Sequence, residues 1–146
     1  MKFRDDFPLP DTTWEPTRPF WESASRGVLA VPRCELCARY VWYPEGHCRH
    51  CSGSRLTWTA VSGRGRLFSW SIVHRPFIPQ FADKVPFVTG LVAIDEDPAV
   101  RMVTLIVDCT HDALAADMPM HAVFRPLRFS GIDREVLAPM FAPAPA

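Results

Sequence analysis

Alternation of apolar and polar residues predicts β-structure over most of the second half of the chain. The segments with this pattern are residues 56–61, 67–74, 87–94, 100–108, 121–127 and 136–141. Gly63-Arg64-Gly65 separates the first two, as a hairpin turn or as a bulge in one long bent strand. Pro139 limits the last segment to the edge of a sheet.

A short helix is predicted at residues 112–117, between the strands at residues 100–108 and 121–127. If residues 56–74 form one bent strand, the order of elements becomes β–β–β–α–β–β. This is the order of the five-stranded OB-fold barrel. The sequence therefore predicts a mainly β protein that ends in an OB-fold barrel.

A second helix is predicted near the N-terminus. Thr17 can cap it, Pro19 suits its first turn, and Gly27 suits its end. One face would carry the apolar residues Phe20, Trp21, Ala24 and Val28. This face either packs on the rest of the chain or presents Phe20 and Trp21 to a partner.

Four of the five cysteines form two CxxC pairs, Cys34/Cys37 and Cys48/Cys51, separated by ten residues. Each pair can place two thiolates on one side of a tight turn, and two such knuckles complete a tetrahedral zinc site. Strands are predicted beside the knuckles at residues 28–33 and 39–43, so residues 28–53 form a zinc ribbon. Four thiolates leave no position for water, which makes the zinc structural. His47 and His50, beside the second pair, are the alternative ligands.

Composition restricts the function. The formal net charge is +0, with 48% hydrophobic and 22% charged residues, so a packed core is expected and a nucleic-acid partner is disfavoured. The N-terminus lacks the apolar region of a signal peptide, and no apolar run reaches the roughly 18 residues of a membrane span. Cysteines paired for metal suit a reducing compartment. We expect a cytoplasmic protein without a membrane partner.

Basic residues and aromatic residues alternate around the first barrel strands. Arg64, Arg66 and Arg75 could hold the phosphates of a nucleotide cofactor, or of single-stranded nucleic acid. They could equally form a solvated rim. The sequence contains no nucleotide-binding or hydrolase motif, and a nucleophile at Cys109 or a base at His74 is the alternative enzymatic interpretation.

Several short motifs occur in a specific order from about residue 15 onward. They are Pro19-Phe-Trp-Glu22, Gly27, Cys34-x-x-Cys37, Pro44, Cys48-x-x-Cys51, Val61-Ser-Gly-Arg-Gly65, His74-Arg-Pro76, Pro86-Phe-Val88 and Asp117-Met-Pro-Met120. This series resembles the DUF35 family, which joins an N-terminal helix, a rubredoxin-like zinc ribbon and an OB fold. Ala38 and Asp117 stand where the family commonly has glycine, a residue that tolerates positive φ.

The resemblance implies three regions: an N-terminal extension and helix (residues 1–27), a zinc ribbon (28–53) and an OB-fold domain (54–146). Family members commonly accompany thiolase-fold enzymes, often in the degradation of steroids or aromatic acids. By resemblance, this chain is a non-catalytic accessory subunit of a thiolase, aldolase or acyltransferase, and it assists the binding or channelling of CoA esters.

Two sets of contacts are expected in such a complex. The interface is expected at Trp14, Phe20 and Trp21, and coenzyme A is expected at the three arginines. The alternative functions are a single-stranded nucleic-acid-binding module and a stand-alone enzyme that uses Cys109 or His74.

Overall fold

The computed structural model describes residues 2–145 of the chain. It has one α-helix and seven strands, with short 3-10 turns at Pro79–Phe81 and His111–Ala113. The elements are α1 (Arg18–Ala24), β1 (Ala30–Cys34), β2 (Leu56–Ala60), β3 (Arg64–Val73), β4 (Phe87–Ile94), β5 (Asp97–Ile106), β6 (Pro119–Leu127) and β7 (Val136–Pro143). No helix within residues 2–145 has the length and apolar character that a membrane span requires.

The last five strands close into a barrel in the order β3-β4-β5-β7-β6. This confirms the predicted OB-fold barrel. Gly65, near the start of β3, lies opposite Ile94 of β4 and also opposite Met120 of β6. A Cβ at Gly65 would lie 2.4 Å from the carbonyl oxygen of Ala93, so only glycine fits here.

The first barrel strand starts later than the sequence pattern suggests. Residues 56–61 are predicted to begin a long bent barrel strand, but β2 instead pairs antiparallel with β1, from Ala30 opposite Ala60 to Cys34 opposite Leu56. The alternation of residues identifies a strand without identifying its partner. The boundary after residue 53 stays a prediction, and the strand that follows it belongs to the sheet of the ribbon.

Two smaller elements also differ from the prediction. Residues 39–43 form a loop with a single bridge, between Arg33 and Tyr40, because the loop turns inward to bury Val41 completely. The helix predicted at residues 112–117 is only the 3-10 turn His111–Ala113. So few residues cannot offset the cost of nucleating an α-helix.

The predicted N-terminal helix is confirmed, and it lies against the ribbon and the barrel. Gly27 follows it with φ +72°, as expected for the end of a helix. Thr17 stands at the N-cap, but its side chain makes no capping hydrogen bond. Phe20 is buried together with Leu29 and Val31 in the same core as the inward side chains of the barrel. The helix, the ribbon and the barrel therefore share one hydrophobic core.

Candidate zinc centre and surface sites

The four cysteines of the two CxxC pairs meet at one end of the ribbon. Their Sγ atoms all lie within 4.8 Å of one another, and the Cys34–Cys51 and Cys37–Cys48 pairs are each 3.6 Å apart. A tetrahedral ion with Zn–S bonds of about 2.3 Å needs sulfur atoms about 3.8 Å apart. The four cysteines are therefore arranged as zinc binding requires, in agreement with the predicted ligand set.

The surroundings of the cluster also fit a bound cation. Backbone N–H groups of Cys37 and Leu36 point at the sulfur of Cys34 and lower the pKa of its thiol to about 7. For Cys51, the N–H of Gly53 favours the thiolate, but burial and the neighbouring thiols raise the pKa to about 12. Four adjacent thiolates repel one another, and a divalent cation removes that repulsion.

The two histidines do not join the sulfur atoms. The imidazole Nε2 of His50 lies 3.3 Å from the backbone oxygen of Tyr40, and the side chain of His47 is exposed. Cys34 and Cys48 are almost completely buried. Four sulfur ligands around one ion leave no open position, so this centre is built for stability.

An ion pair connects the loop between Cys37 and Cys48 to the barrel. Arg39 follows the first knuckle, and its Nε donates to the carboxylate of Asp97 at the start of β5, at 3.0 Å. Asp97 is the only buried charged side chain among residues 2–145. Burial alone would raise its pKa, but the guanidinium and the backbone N–H groups of Ala99 and Tyr40 hold the pKa of the carboxyl below its usual range. The ribbon and the barrel are therefore held together by charge as well as by the core.

Both departures from the glycine pattern of the family adopt positive φ. Ala38 has φ 64° and Asp117 has φ 65°. A non-glycine residue loses about 1–2 kcal/mol in this conformation, and aspartate loses less than alanine because its side chain can hydrogen-bond locally. The chain is thus strained at these two positions.

We expect Ala38→Gly to stabilise the zinc-loaded protein by about 0.5 kcal/mol, because removing the Cβ clash outweighs the greater entropy of the unfolded chain. Asp117→Gly should stabilise it less. Ala82→Gly is the control, since Ala82 is exposed and has φ −61°, and it should destabilise the protein. Urea unfolding measures the stability of all three variants. If Ala38→Gly and Ala82→Gly change the free energy of unfolding in the same direction, Ala38 is not strained.

The three candidate phosphate-binding arginines do not form one cluster. Arg64 and Arg66 lie at the start of β3, whereas Arg75 follows the other end of that strand. Arg66 instead has Arg101 of β5 as a neighbour, since both lie opposite Ala93 of β4. The three predicted arginines therefore lie at two separate places in the structure.

Arg66 and Arg101 line a cavity of about 480 Å³ on the outer face of β3, β4 and β5. Two strand spacings of about 4.8 Å separate the two backbones, and the small side chain of Ala93 leaves a depression between them. The guanidinium of Arg101 lies 3.9 Å from the ring centre of Phe68, which is 51% exposed. Asp95 and Asp117 also line the cavity. The cavity therefore combines two cations with two carboxylates and the exposed ring of Phe68, one face of which is covered by Arg101.

The aromatic residues proposed for a partner have different surroundings. Trp14 is 57% exposed, and Trp21 is half-buried. Phe20 is only 7% exposed, so its side chain contributes mainly to the core of the chain itself.

Near Trp21, exposed Tyr43 and Val103 extend the apolar surface. The alternation of residues 100–104 is the signal that could have identified Val103, because it places an apolar side chain on the outer face of β5.

The alternative nucleophile has unfavourable surroundings. Burial and the charge of Asp108 raise the pKa of the Cys109 thiol, which disfavours the reactive thiolate. His74 is exposed immediately after β3. Neither residue has an environment that activates it for catalysis.

The chain matches two family models over most of its length. Residues 21–57 match the rubredoxin-like zinc ribbon domain of ChsH2, and residues 58–125 match its C-terminal OB-fold domain. Both matches agree with the architecture described above.

Similar proteins include a "Probable enoyl-CoA hydratase alpha subunit" from Thermomonospora curvata, 30% identical over 86% of this chain. The chain spans 37% of that relative's length. A "DUF35 domain-containing scaffold protein" from Methanothermobacter thermautotrophicus is 28% identical over 82% of this chain and 88% of its own length.

Among solved structures, a chain of the "Ltp2-ChsH2(DUF35) aldolase" is 27% identical, with a TM-score of 0.74. The match covers 92% of this chain and 98% of that chain. The cysteine cluster, the barrel and these matches agree, and the chain belongs to the DUF35 family, with a ChsH2-type zinc ribbon and OB fold.

Proposed function

We propose that the chain is a non-catalytic accessory subunit of a thiolase-fold enzyme that acts on CoA esters. The observation that carries the proposal is the likeness over 98% of a chain of the Ltp2-ChsH2(DUF35) aldolase. The name of the Methanothermobacter relative also describes a scaffold. The closed cysteine cluster and the raised pKa of Cys109 agree with a subunit that leaves the chemistry to its partner.

The partner is proposed to bind the apolar surface formed by Trp21, Tyr43 and Val103, and to contact the exposed side chain of Trp14 as a separate point. Large exposed aromatic side chains are typical of the centre of an interface, where they exclude water. Phe20 supports this surface from below, since its ring packs edge-on against Trp21 with centres 5.0 Å apart. The zinc and the shared core would keep the surface rigid.

Coenzyme A is proposed to bind at the Arg66–Arg101 cavity. Guanidinium groups bind phosphates with paired hydrogen bonds, and an exposed aromatic ring can stack on adenine. Arg64 lies two residues before Arg66, on the same exposed face of β3, and can add to the positive potential. Arg75, beyond the far end of β3, would contact a different part of the complex.

Co-expression of the chain with a thiolase-fold protein from the same genome tests the proposed partner. We expect a stable complex during size-exclusion chromatography, and we expect turnover of CoA esters only with the catalytic subunit present. Trp14→Ala should weaken the complex at least tenfold. Phe77→Ala, which changes a 93% exposed ring on the loop after β3, should not.

Calorimetric titration of the complex with coenzyme A tests the proposed binding site at the Arg66–Arg101 cavity. Arg66→Ala and Arg101→Ala should each weaken binding about tenfold, because each removes a charge-assisted contact. Arg75→Ala is the matched control and should have a smaller effect. A chain that forms no complex and instead binds single-stranded oligonucleotides in a salt-sensitive manner would contradict the proposal.

A further inference from the structure

The barrel is only narrowly closed between β5 and β7. In the described chain these two strands pair at one position, Ile106 opposite Phe141, whereas β6 and β7 pair over eight. The N–H of Val107 adds one hydrogen bond to the oxygen of Phe141, at 2.9 Å. Before Ile106 in β5, the described ladder between the two strands is absent, although Thr104 Oγ1 lies 3.5 Å from the oxygen of Pro139. Residues of α1 and of the loop that carries Trp42 line the space beside this gap in the ladder.

A cavity of about 260 Å³ fills this gap. Its floor consists of core side chains that are at most 7% exposed: Phe20, Leu29, Met102 and Phe141. Its mouth lies between Tyr43 and Val103, which are 53% and 63% exposed. The cavity is therefore open to the surface at one end and closed by the core at the other.

The lining is largely apolar, and five of its eleven residues are aromatic. Trp21 and Trp42 form walls, and the hydroxyl groups of Thr17 and Thr104 are the only polar side-chain groups in the described lining, apart from the indole N–H groups and the phenol of Tyr43. No charged side chain is among the described lining residues. An ionic ligand would lose its hydration here without gaining a partner, whereas a neutral apolar group would gain by burial.

The volume restricts the size of the ligand. An apolar cavity of about 150 Å³ accommodates benzene, so 260 Å³ suits a group of about two fused rings. Flat aromatic walls also favour a ring system over a flexible chain, because a rigid ligand loses less conformational freedom. We propose that this cavity binds a neutral, apolar, ring-bearing small molecule or substituent of this size.

This inference goes beyond the accessory function and does not depend on it, since it concerns the isolated chain and a ligand without coenzyme A. In the proposed complex the partner would cover the mouth of the cavity, because Tyr43 and Val103 belong to both surfaces. The test is a titration of the zinc-loaded, ¹⁵N-labelled full chain with indane, a neutral bicyclic hydrocarbon, followed by NMR. We expect saturable shifts of the Val103 and Thr104 amides and of the indole N–H groups of Trp21 and Trp42. Indane should bind at least tenfold more tightly than benzene.

Val103→Glu places a charge at the mouth and should weaken indane binding at least tenfold. Tyr43→Glu, on the opposite rim, should do the same, and both positions are exposed enough to tolerate the change. Phe77→Glu is the matched control and should bind indane like the unmodified chain. The proposal is overturned if the shifts do not saturate, if they occur elsewhere, or if both rim variants bind indane normally.

Discussion

Replacing Cys48 with serine is expected to abolish zinc binding and to lower the thermal stability of the protein more than any other single change. Cys48 is fully buried, and its Sγ lies 3.6 Å from that of Cys37. The serine hydroxyl is a poor zinc ligand at neutral pH, and the remaining thiolates then repel one another without compensation. The two loops that carry the CxxC pairs, one at the end of β1 and one before β2, would lose the ion that connects them.

The expected loss is at least about 3 kcal/mol, since structural zinc contributes directly to folding. For a chain of this size that corresponds to a decrease in midpoint of roughly 10 °C. Elemental analysis and calorimetry of the purified protein measure both effects. Cys109→Ser is the control, because Cys109 lies outside the cluster, and it should retain one zinc ion and nearly normal stability. Equimolar zinc in the Cys48→Ser protein would refute the assigned ligand set.

Replacing Gly65 with alanine is the second change with a large expected effect. The new Cβ would lie 2.4 Å from the carbonyl oxygen of Ala93 and 2.7 Å from Cγ1 of Val92. Neither contact can relax cheaply, because one involves the backbone of β4 and the other a fully buried side chain. The strand would have to move at the position where it pairs with both β4 and β6. We expect destabilisation by about 3 kcal/mol.

Gly46→Ala provides the matched control for this result. A Cβ at Gly46 meets no atom within 4 Å, and its φ lies outside the positive region. The same substitution there should leave stability within about 0.5 kcal/mol or raise it slightly. Denaturant unfolding of the two proteins measures the difference. Similar stabilities would mean that β3 can pair with both β4 and β6 without a glycine at residue 65.

The sequence predicted the metal centre and the barrel because both depend on local signals. The CxxC spacing specifies four sulfur ligands without reference to the rest of the fold. Strand β4 alternates regularly and its bounds match the prediction, whereas β5 begins three residues earlier and ends two residues earlier than the predicted segment 100–108. The partner of β2 was predicted incorrectly, since pairing is decided by distant residues. The loop at residues 39–43 has β-type residues, yet burial of Val41 determines its path.

The surface sites were less accessible to sequence reasoning. Arg66 and Arg101 are 35 residues apart and become neighbours only through their common register with Ala93. The register of β4 and β5 also shifts at Ala93/Ile94, which no local pattern reveals. The cavity near Val103 likewise depends on how far β5 and β7 separate. Such features require the three-dimensional arrangement.

The shared core has a consequence for how the molecule folds. The matches to the ribbon and OB-fold models meet between residues 57 and 58, inside β2, although Leu29 and Val31 pack among the barrel side chains. The boundary between the two matched domains therefore does not divide the hydrophobic core, which contains residues of both. The ribbon is synthesised before the barrel strands. Its cysteines can therefore bind metal while its apolar side chains, which later pack against the barrel, are still exposed to solvent. Zinc then serves as an early anchor for a fold that only the C-terminal strands complete.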